Sequence, residues 1–175
     1  MYKFCPRCSK KITKKSKNLF ICNHCGFHLY ENPRPTTAVI FTNDKEEILL
    51  IKRKKAPKKD YWDTPGGFVD LNETLEESVK REIKEELNIE LKTFKYIGSY
   101  YGRYFYKGIN YHTLCFAFAA KMPDKKVKTS DEISALKFFK KQDIPIDKIA
   151  FVEVKNVLKN YLSSFNQSPC SENGK

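Results

Sequence analysis

Between Thr74 and Asn88 the chain reads TLEESVKREIKEELN, and this stretch limits what the chain can fold into more than any other. Thr74 with Glu77 three residues on is a capping-box pair, in which each side chain takes the other residue's backbone amide at a helix start. Leu75, Val79, Ile83 and Leu87 recur every fourth residue, so one face of the predicted helix is apolar and must be buried. Asn88 then stands where a helix-ending left-handed residue belongs. The same helix carries Glu82, Glu85 and Glu86 at i, i+3 and i+4, which puts their carboxylates on one face. Seven of the chain's 21 acidic residues lie within Glu73–Glu90, in a chain whose formal charge is +12. Like charges so placed repel one another. A hard divalent cation such as Mg²⁺, which takes oxygen ligands, accounts for the arrangement. A solvated acidic face paired with Lys80, Arg81 and Lys84 is the alternative.

The loop before the helix narrows the choice. Gly66-Gly67 permits unusual φ and a close backbone approach. Glu73 stands eight residues before Arg81, near enough across a turned loop to pair with it. The full pattern is Gly67, five residues, Glu73, seven residues, Arg81-Glu82-Ile83, one residue, Glu85-Glu86, one residue, Asn88-Ile89. It resembles the signature of the Nudix hydrolase family, which has glycine where this chain has Asn88. Both residues accept the left-handed conformation.

The resemblance implies an α/β/α sandwich with a mixed sheet, the signature forming a loop–helix–loop. It implies an enzyme that cleaves a nucleoside diphosphate linked to another moiety, such as ADP-ribose, a dinucleotide or a nucleotide sugar. On the family pattern Glu85 and Glu86 bind Mg²⁺ or Mn²⁺, and Glu82 ligates or assists. Arg81 orients these carboxylates and the Gly67 carbonyl reaches the metal. Such a metal neutralises the diphosphate and lowers the pKa of the attacking water, while a carboxylate takes the proton. Glu132, in Ser130-Asp131-Glu132-Ile133, looks like the further acid that many members carry as ligand or general base; a surface carboxylate is the alternative. Members often have an arginine near position 53, so Arg53 is a candidate phosphate contact.

At the front of the chain, Cys5-Pro6-Arg7-Cys8 and Cys22-Asn23-His24-Cys25 are two Cys-x-x-Cys knuckles separated by thirteen residues. Two such pairs predict a closed tetrahedral site of Cys5, Cys8, Cys22 and Cys25, structural rather than catalytic, for zinc with iron as the alternative. His24 and His28 are bystanders to a shell that four thiolates complete. Cys115 lies in an apolar strand and reads as core, and Cys170 has no evident role. A zinc ribbon ahead of such a body is similar to NADH pyrophosphatases and ADP-ribose pyrophosphatase-like proteins of the family. The Ser-Gln-Pro-Trp-Pro-Phe-Pro motif of the NADH subgroup is missing here, so NADH is not supported as the substrate.

The remaining sequence predicts three regions: a ribbon over 1–30, a body over 31–162 and a polar tail over 163–175 without periodicity. Asn32-Pro33-Arg34-Pro35 reads as a linker, because two prolines favour extended backbone. In the body, strands are expected at Thr36–Thr42, Ile48–Ile51, Phe68–Val69, Lys92–Ser99, Tyr111–Ala120 and Lys137–Phe139. A second helix is expected over Ile149–Leu162. That order predicts an α/β or α+β domain with one helix on each sheet face.

Tyr100, Tyr101, Tyr104, Phe105 and Tyr106 gather around Gly102 and Gly108 and read as a loop. Tyr104 is the candidate there for stacking a nucleobase, although sheet packing or a homodimer interface would use the same rings. No signal peptide opens the chain and no apolar run is long enough to span a membrane. A cytoplasmic protein with reduced cysteines is expected. The basic charge favours anionic partners, from small nucleotides to nucleic acid. Two further readings stay open: an RNA-cap hydrolase, and a nucleic-acid-binding or ligand-sensing module without catalysis.

Overall fold

Runs of consecutive apolar residues such as Ala38–Phe41 and Ile48–Ile51 can be satisfied only by strands covered on both faces. The computed structural model, which describes residues 2–164, builds these runs into the middle of a mixed sheet. The chain divides between Pro33 and Arg34 into two compact units. In the first, β1 (Thr13–Lys14), β2 (Leu19–Ile21) and β3 (His28–Tyr30) form an antiparallel sheet in that order. Its core is small: Cys5, Ile12, Phe20 and Cys22.

In the second unit, β4 (Arg34–Thr42), β5 (Ile48–Arg53) and β6 (Trp62–Asp63) precede helix α1 (Leu75–Leu87). Strands β7 (Lys95–Tyr106), β8 (Ile109–Lys121) and β9 (Ile133–Phe139) follow, and helix α2 (Val152–Ser164) ends the described chain. The sheet order is β6-β5-β4-β8-β7, with β9 on β5. β4 and β8 run parallel from Arg34↔Thr113 to Thr42↔Lys121, and the other pairings are antiparallel.

The strand period of two sorts the side chains. Ala38 and Ile40 of β4 join Ile48 and Leu50 of β5 in one core, covered by Val154, Val157 and Leu158 of α2. Val39, Phe41, Leu49 and Ile51 point the other way, onto Val79, Ile83 and Leu87 of α1. One helix therefore covers each face, giving the expected α/β/α layers. Burying each such side chain is worth roughly 1.5–3 kcal/mol.

Helix α1 begins as its sequence predicts. The Thr74 hydroxyl accepts the Glu77 amide at 3.2 Å, and Glu77 Oε2 accepts the Thr74 amide at 2.8 Å. Asn88 closes it at φ 56°, ψ 36°.

Several expectations are corrected. The aromatic stretch from Tyr100 to Tyr106 is strand, not loop, since β7 runs unbroken through it. Tyrosine and phenylalanine favour a pleated, half-buried surface, and of the two glycines only Gly108 turns the chain. With Lys107 at φ 46° and Gly108 at φ 79°, the β7–β8 connection is a two-residue hairpin of the positive-φ type. Phe68–Val69 forms no strand, only a single bridge from Phe68 to Thr36. Arg34 and Pro35 belong to β4 rather than to a linker. Helix α2 continues through Ser164, past the expected start of the tail; the rest of that tail, Cys170 included, lies outside the described residues.

The left-handed backbone at position 88 predicts that Asn88→Gly leaves the thermal midpoint unchanged or slightly raised. Asn88→Val should cost about 1–2 kcal/mol, read by thermal unfolding followed through the fluorescence of Trp62, the chain's one tryptophan.

Candidate functional site

Helix α1 buries its apolar stripe against the sheet, and this fixes which way its acids point. Its Arg81 is the centre of an ion cluster. Nε and NH2 grip Glu73 at 2.7 and 2.9 Å. NH1 reaches Glu82 at 2.9 Å and Glu85 at 3.3 Å, and NH2 also donates to the Phe68 carbonyl at 2.9 Å. The Arg81 hydrogen bonds pull the Glu73 carboxyl down to about 2. The predicted Glu73–Arg81 pair is thus present, and it ties the glycine loop to the helix.

The loop packs against β4. Thr37 N–H donates to the Gly67 carbonyl at 2.8 Å and Val39 N–H to the Pro65 carbonyl at 2.8 Å. A Cβ on Gly67 would run into the Glu82 carboxylate, and one on Gly66, at φ 135°, into the Thr37 carbonyl. Gly66 is therefore required by its approach to backbone, whereas a side chain at Gly67 would push the Glu82 carboxylate aside.

These elements enclose a cavity of about 310 Å³, on which Arg53, Gly67, Glu82, Glu86, Tyr104 and Glu132 all border. Arg53 donates to Asp63 at 3.2 Å and to the Pro57 carbonyl at 3.0 Å, and lies over the Phe151 ring at 5.0 Å. Tyr104 packs edge-on against Phe68 at 5.4 Å and tilted on Phe151 at 5.5 Å. Glu132 sits at the rim, 64% exposed and paired with Lys55 at 3.1 Å. Glu85 is the one predicted acid that does not line the cavity; it is 60% exposed and held to Arg81.

The buried acids carry most of the electrostatic tension. Glu86 Oε2 accepts the Gly66 amide at 3.0 Å, yet desolvation pushes its carboxyl up to about 8, with Glu82 and Asp63 adding repulsion. Desolvation also raises Glu82, against the pull of Arg81. It lifts Asp63 to about 6, against Arg53. Glu153, in the first turn of α2, takes a hydrogen bond from Thr113 at 3.0 Å, is raised by burial, and leaves its second oxygen without a partner among the described residues.

Sequence reasoning missed both Asp63 and Glu153. The glycine at 102 was the available signal, because a Cβ there would occupy the space of the Glu153 carboxylate. Hard oxygen donors on one wall, one of them driven toward its neutral form by burial, suit a divalent cation. Among the described residues only the four cysteines bring three or more ligand atoms within 4.8 Å of one another. Glu82, Glu86 and Glu132 border the cavity without forming so tight a group.

In the first unit, Cys5, Cys8, Cys22 and Cys25 form that closed group. Cys5 and Cys25 Sγ are 3.7 Å apart and Cys8 and Cys22 Sγ 3.6 Å. A tetrahedron with metal–sulfur bonds of about 2.3 Å has sulfur–sulfur edges of about 3.8 Å, so the thiols already stand at the spacing of a tetrathiolate site. His24 and His28 are exposed and outside it. Cys115 is buried in the second unit, as expected, and desolvation pushes its thiol to about 12.

A family model, the NUDIX domain, matches residues 32–160. The chain belongs to the Nudix family. This Nudix chain is 34% identical over 159 residues to the ADP-ribose pyrophosphatase of Methanocaldococcus jannaschii, a match covering 91% of this chain and 87% of that protein. It is 35% identical over 101 residues to the NAD-capped RNA hydrolase NudC of Haemophilus influenzae, covering 56% of this chain and 38% of that one. A Nudix hydrolase from Nitrosomonas europaea matches in structure with a TM-score of 0.69 and 28% identity, over 94% of this chain and 93% of the other. The chain is a Nudix-type hydrolase with a tetra-cysteine unit in front, and no helix among its described residues is long and apolar enough to cross a membrane.

Two outcomes follow from the geometry. Gly67→Ala should displace Glu82 and lower kcat by about a hundredfold, with the thermal midpoint read alongside. Elemental analysis of purified protein should return one zinc or iron ion per chain. Cys22→Ser should lose that ion, and thiol titration should then find the remaining knuckle cysteines reactive without denaturant.

Proposed function

We propose that this chain hydrolyses the diphosphate bond of a nucleoside diphosphate derivative of the ADP-ribose type. One observation carries the reading: α1 aims Glu82 and Glu86 into a cavity whose other wall offers Arg53. Mg²⁺ or Mn²⁺ would be held by Glu82, Glu85, Glu86 and the Gly67 carbonyl, with Glu132 as a further ligand or base. When bound, such an ion supplies charge neutralisation of the diphosphate and a more acidic attacking water.

The chain's own residues do the rest. Arg81 fixes the directions of Glu82 and Glu85 while holding Glu73. Arg53, steadied by Asp63, presents its free N–H groups to a phosphate oxygen. Glu132 is exposed enough to take a proton from water and pass it to solvent. Tyr104, Phe68 and Phe151 offer ring faces and edges to a base or ribose.

The ADP-ribose pyrophosphatase relative, matched over most of its length, supports the substrate class. Hydrolysis of an RNA cap is the second reading, favoured by the NudC match and by the +12 formal charge. The tetra-cysteine unit, residues 1–30, is assigned structural zinc, and knuckle cysteines that form no disulfide fit a reducing, cytoplasmic setting.

The test is a panel of ADP-ribose, nucleotide sugars, NADH, diadenosine polyphosphates and NAD-capped RNA with Mg²⁺ or Mn²⁺, products identified by mass spectrometry. Cleavage of ADP-ribose into AMP and ribose phosphate is expected, and Glu86→Gln should reduce kcat by at least about a hundredfold. A Glu86→Gln variant as fast as wild type would falsify the site.

A stability prediction follows from the same carboxylate. Burial pushes the Glu86 carboxyl up to about 8 in the folded protein, whereas in the unfolded chain it has the ordinary carboxyl value of 4.5. The folded state then binds more protons, so without added divalent cation stability falls as pH rises from 4.5 to 8. Asp63 contributes only up to about pH 6. Urea unfolding read by Trp62 should therefore weaken between pH 6 and 8 in wild type, and less so in Glu86→Gln, where only the raised Glu82 and Glu153 still contribute. Saturating Mg²⁺ should flatten the wild-type profile. A wild-type profile already flat over that range without the cation would contradict the burial of Glu86.

A further inference from the structure

A second groove, of about 570 Å³, lies beside the glutamate cavity. Arg103 and Phe105 of β7, Lys58 and Tyr61 of the loop after β5, and Lys155 of α2 line it. Phe151 lines the groove and the cavity alike, so the two share a wall.

Their chemistries are opposite. The cavity is lined by Asp63, Glu82, Glu86 and Glu153, whereas the groove sets Lys58, Arg103 and Lys155 against a single acid, Asp147. Among the described residues none of those three cations forms an ion pair. Two of them are steadied by aromatic residues instead. Lys58 lies over the Tyr61 ring at 5.1 Å, and Arg103 Nε donates to the Tyr101 hydroxyl at 3.2 Å. Phe105 is 63% exposed and Tyr61 39%. Cations free of carboxylates, with open ring faces among them, form the surface that nucleotides find complementary, phosphates on the charges and a base on a ring.

We propose that this groove binds a further nucleotide of the substrate, joined through its phosphates to the diphosphate that occupies the cavity. The inference rests on the diphosphatase reading of the cavity. The shared wall at Phe151 makes the connection short: a ligand cleaved at the glutamates continues past that ring into the groove. Two sources present this chemistry, the second nucleoside of a dinucleoside polyphosphate and the nucleotide after the cap of a capped RNA. ADP-ribose ends too soon to use it.

Binding is measured with Ca²⁺ in place of Mg²⁺ for ADP-ribose, diadenosine tetraphosphate and an NAD-capped tetranucleotide RNA. The Arg103→Ala/Lys155→Ala double variant should bind at least one extended ligand about tenfold more weakly than wild type, while ADP-ribose stays within about twofold. Phe105→Ala should weaken the same ligand several-fold, and the loss from the double variant should shrink as salt rises. Whichever extended ligand responds identifies the source. Unchanged affinity for both extended ligands overturns the proposal. So does an equal loss for all three, which would place the cations in the cavity's own binding, and so does failure of wild type to bind either extended ligand. Hydrolysis with Mg²⁺ is read separately. A ligand-selective binding loss without any turnover would sink the diphosphatase reading and keep the groove; turnover with no such loss would do the reverse.

Discussion

Everything at the glutamate cavity depends on one guanidinium. Arg81 brings Glu73 from the loop and Glu82 and Glu85 from the helix onto a single planar cation, and takes the Phe68 carbonyl as well. Apart from the Gly66 amide on Glu86, it is this cation that offsets the like charge of loop and helix. A lysine could neutralise one neighbour, but it lacks the fixed fork that meets several acceptors in set directions. With the loop fixed, Gly67 lies so close to Glu82 that a side chain there would push the carboxylate out of place. The bare backbone there and the charge on the helix are parts of one arrangement.

The wider charge distribution has a chemical logic. A chain of formal charge +12 draws anions from a distance. The innermost surface that such an anion meets is nevertheless lined by Asp63, Glu82, Glu86 and Glu153. A bare diphosphate is attracted to the outside and repelled by the floor. That layering of charge, basic outside and acidic at the floor, fits the divalent cation proposed for the cavity.

What could be read from the sequence divides along a physical line. The capping box, the four-residue apolar stripe, the left-handed stop at Asn88 and the cysteine knuckles are local, and each appears where the residue order places it. The Glu73–Arg81 pair spans only eight residues and was legible for the same reason. Glu153 was not. In sequence it is an ordinary acid in the first turn of a helix, where the helix dipole favours it. Its burial depends on α2 meeting β7 at Gly102, and a hydrogen bond reaches it from Thr113, forty residues away. The same glycine misled the reading of the aromatic stretch. Beside Gly108 it suggested a flexible loop, whereas it is the notch in a long strand that admits a carboxylate. Asp63, in a strand of two residues, gave no pattern to read.

That notch also bears on the order in which the protein is made. The carboxylates of α1 lie at the middle of the chain, but Phe151, Glu153 and Val154 complete the cavity wall. During synthesis the signature helix and the first strands leave the ribosome well before that wall exists. Until then the glutamates lack that side of their cavity. Only when α2 settles on β7, and Glu153 enters the space that Gly102 leaves, is the wall of the cavity complete. The growing chain thus carries the chemical groups of the site early and acquires the site itself last.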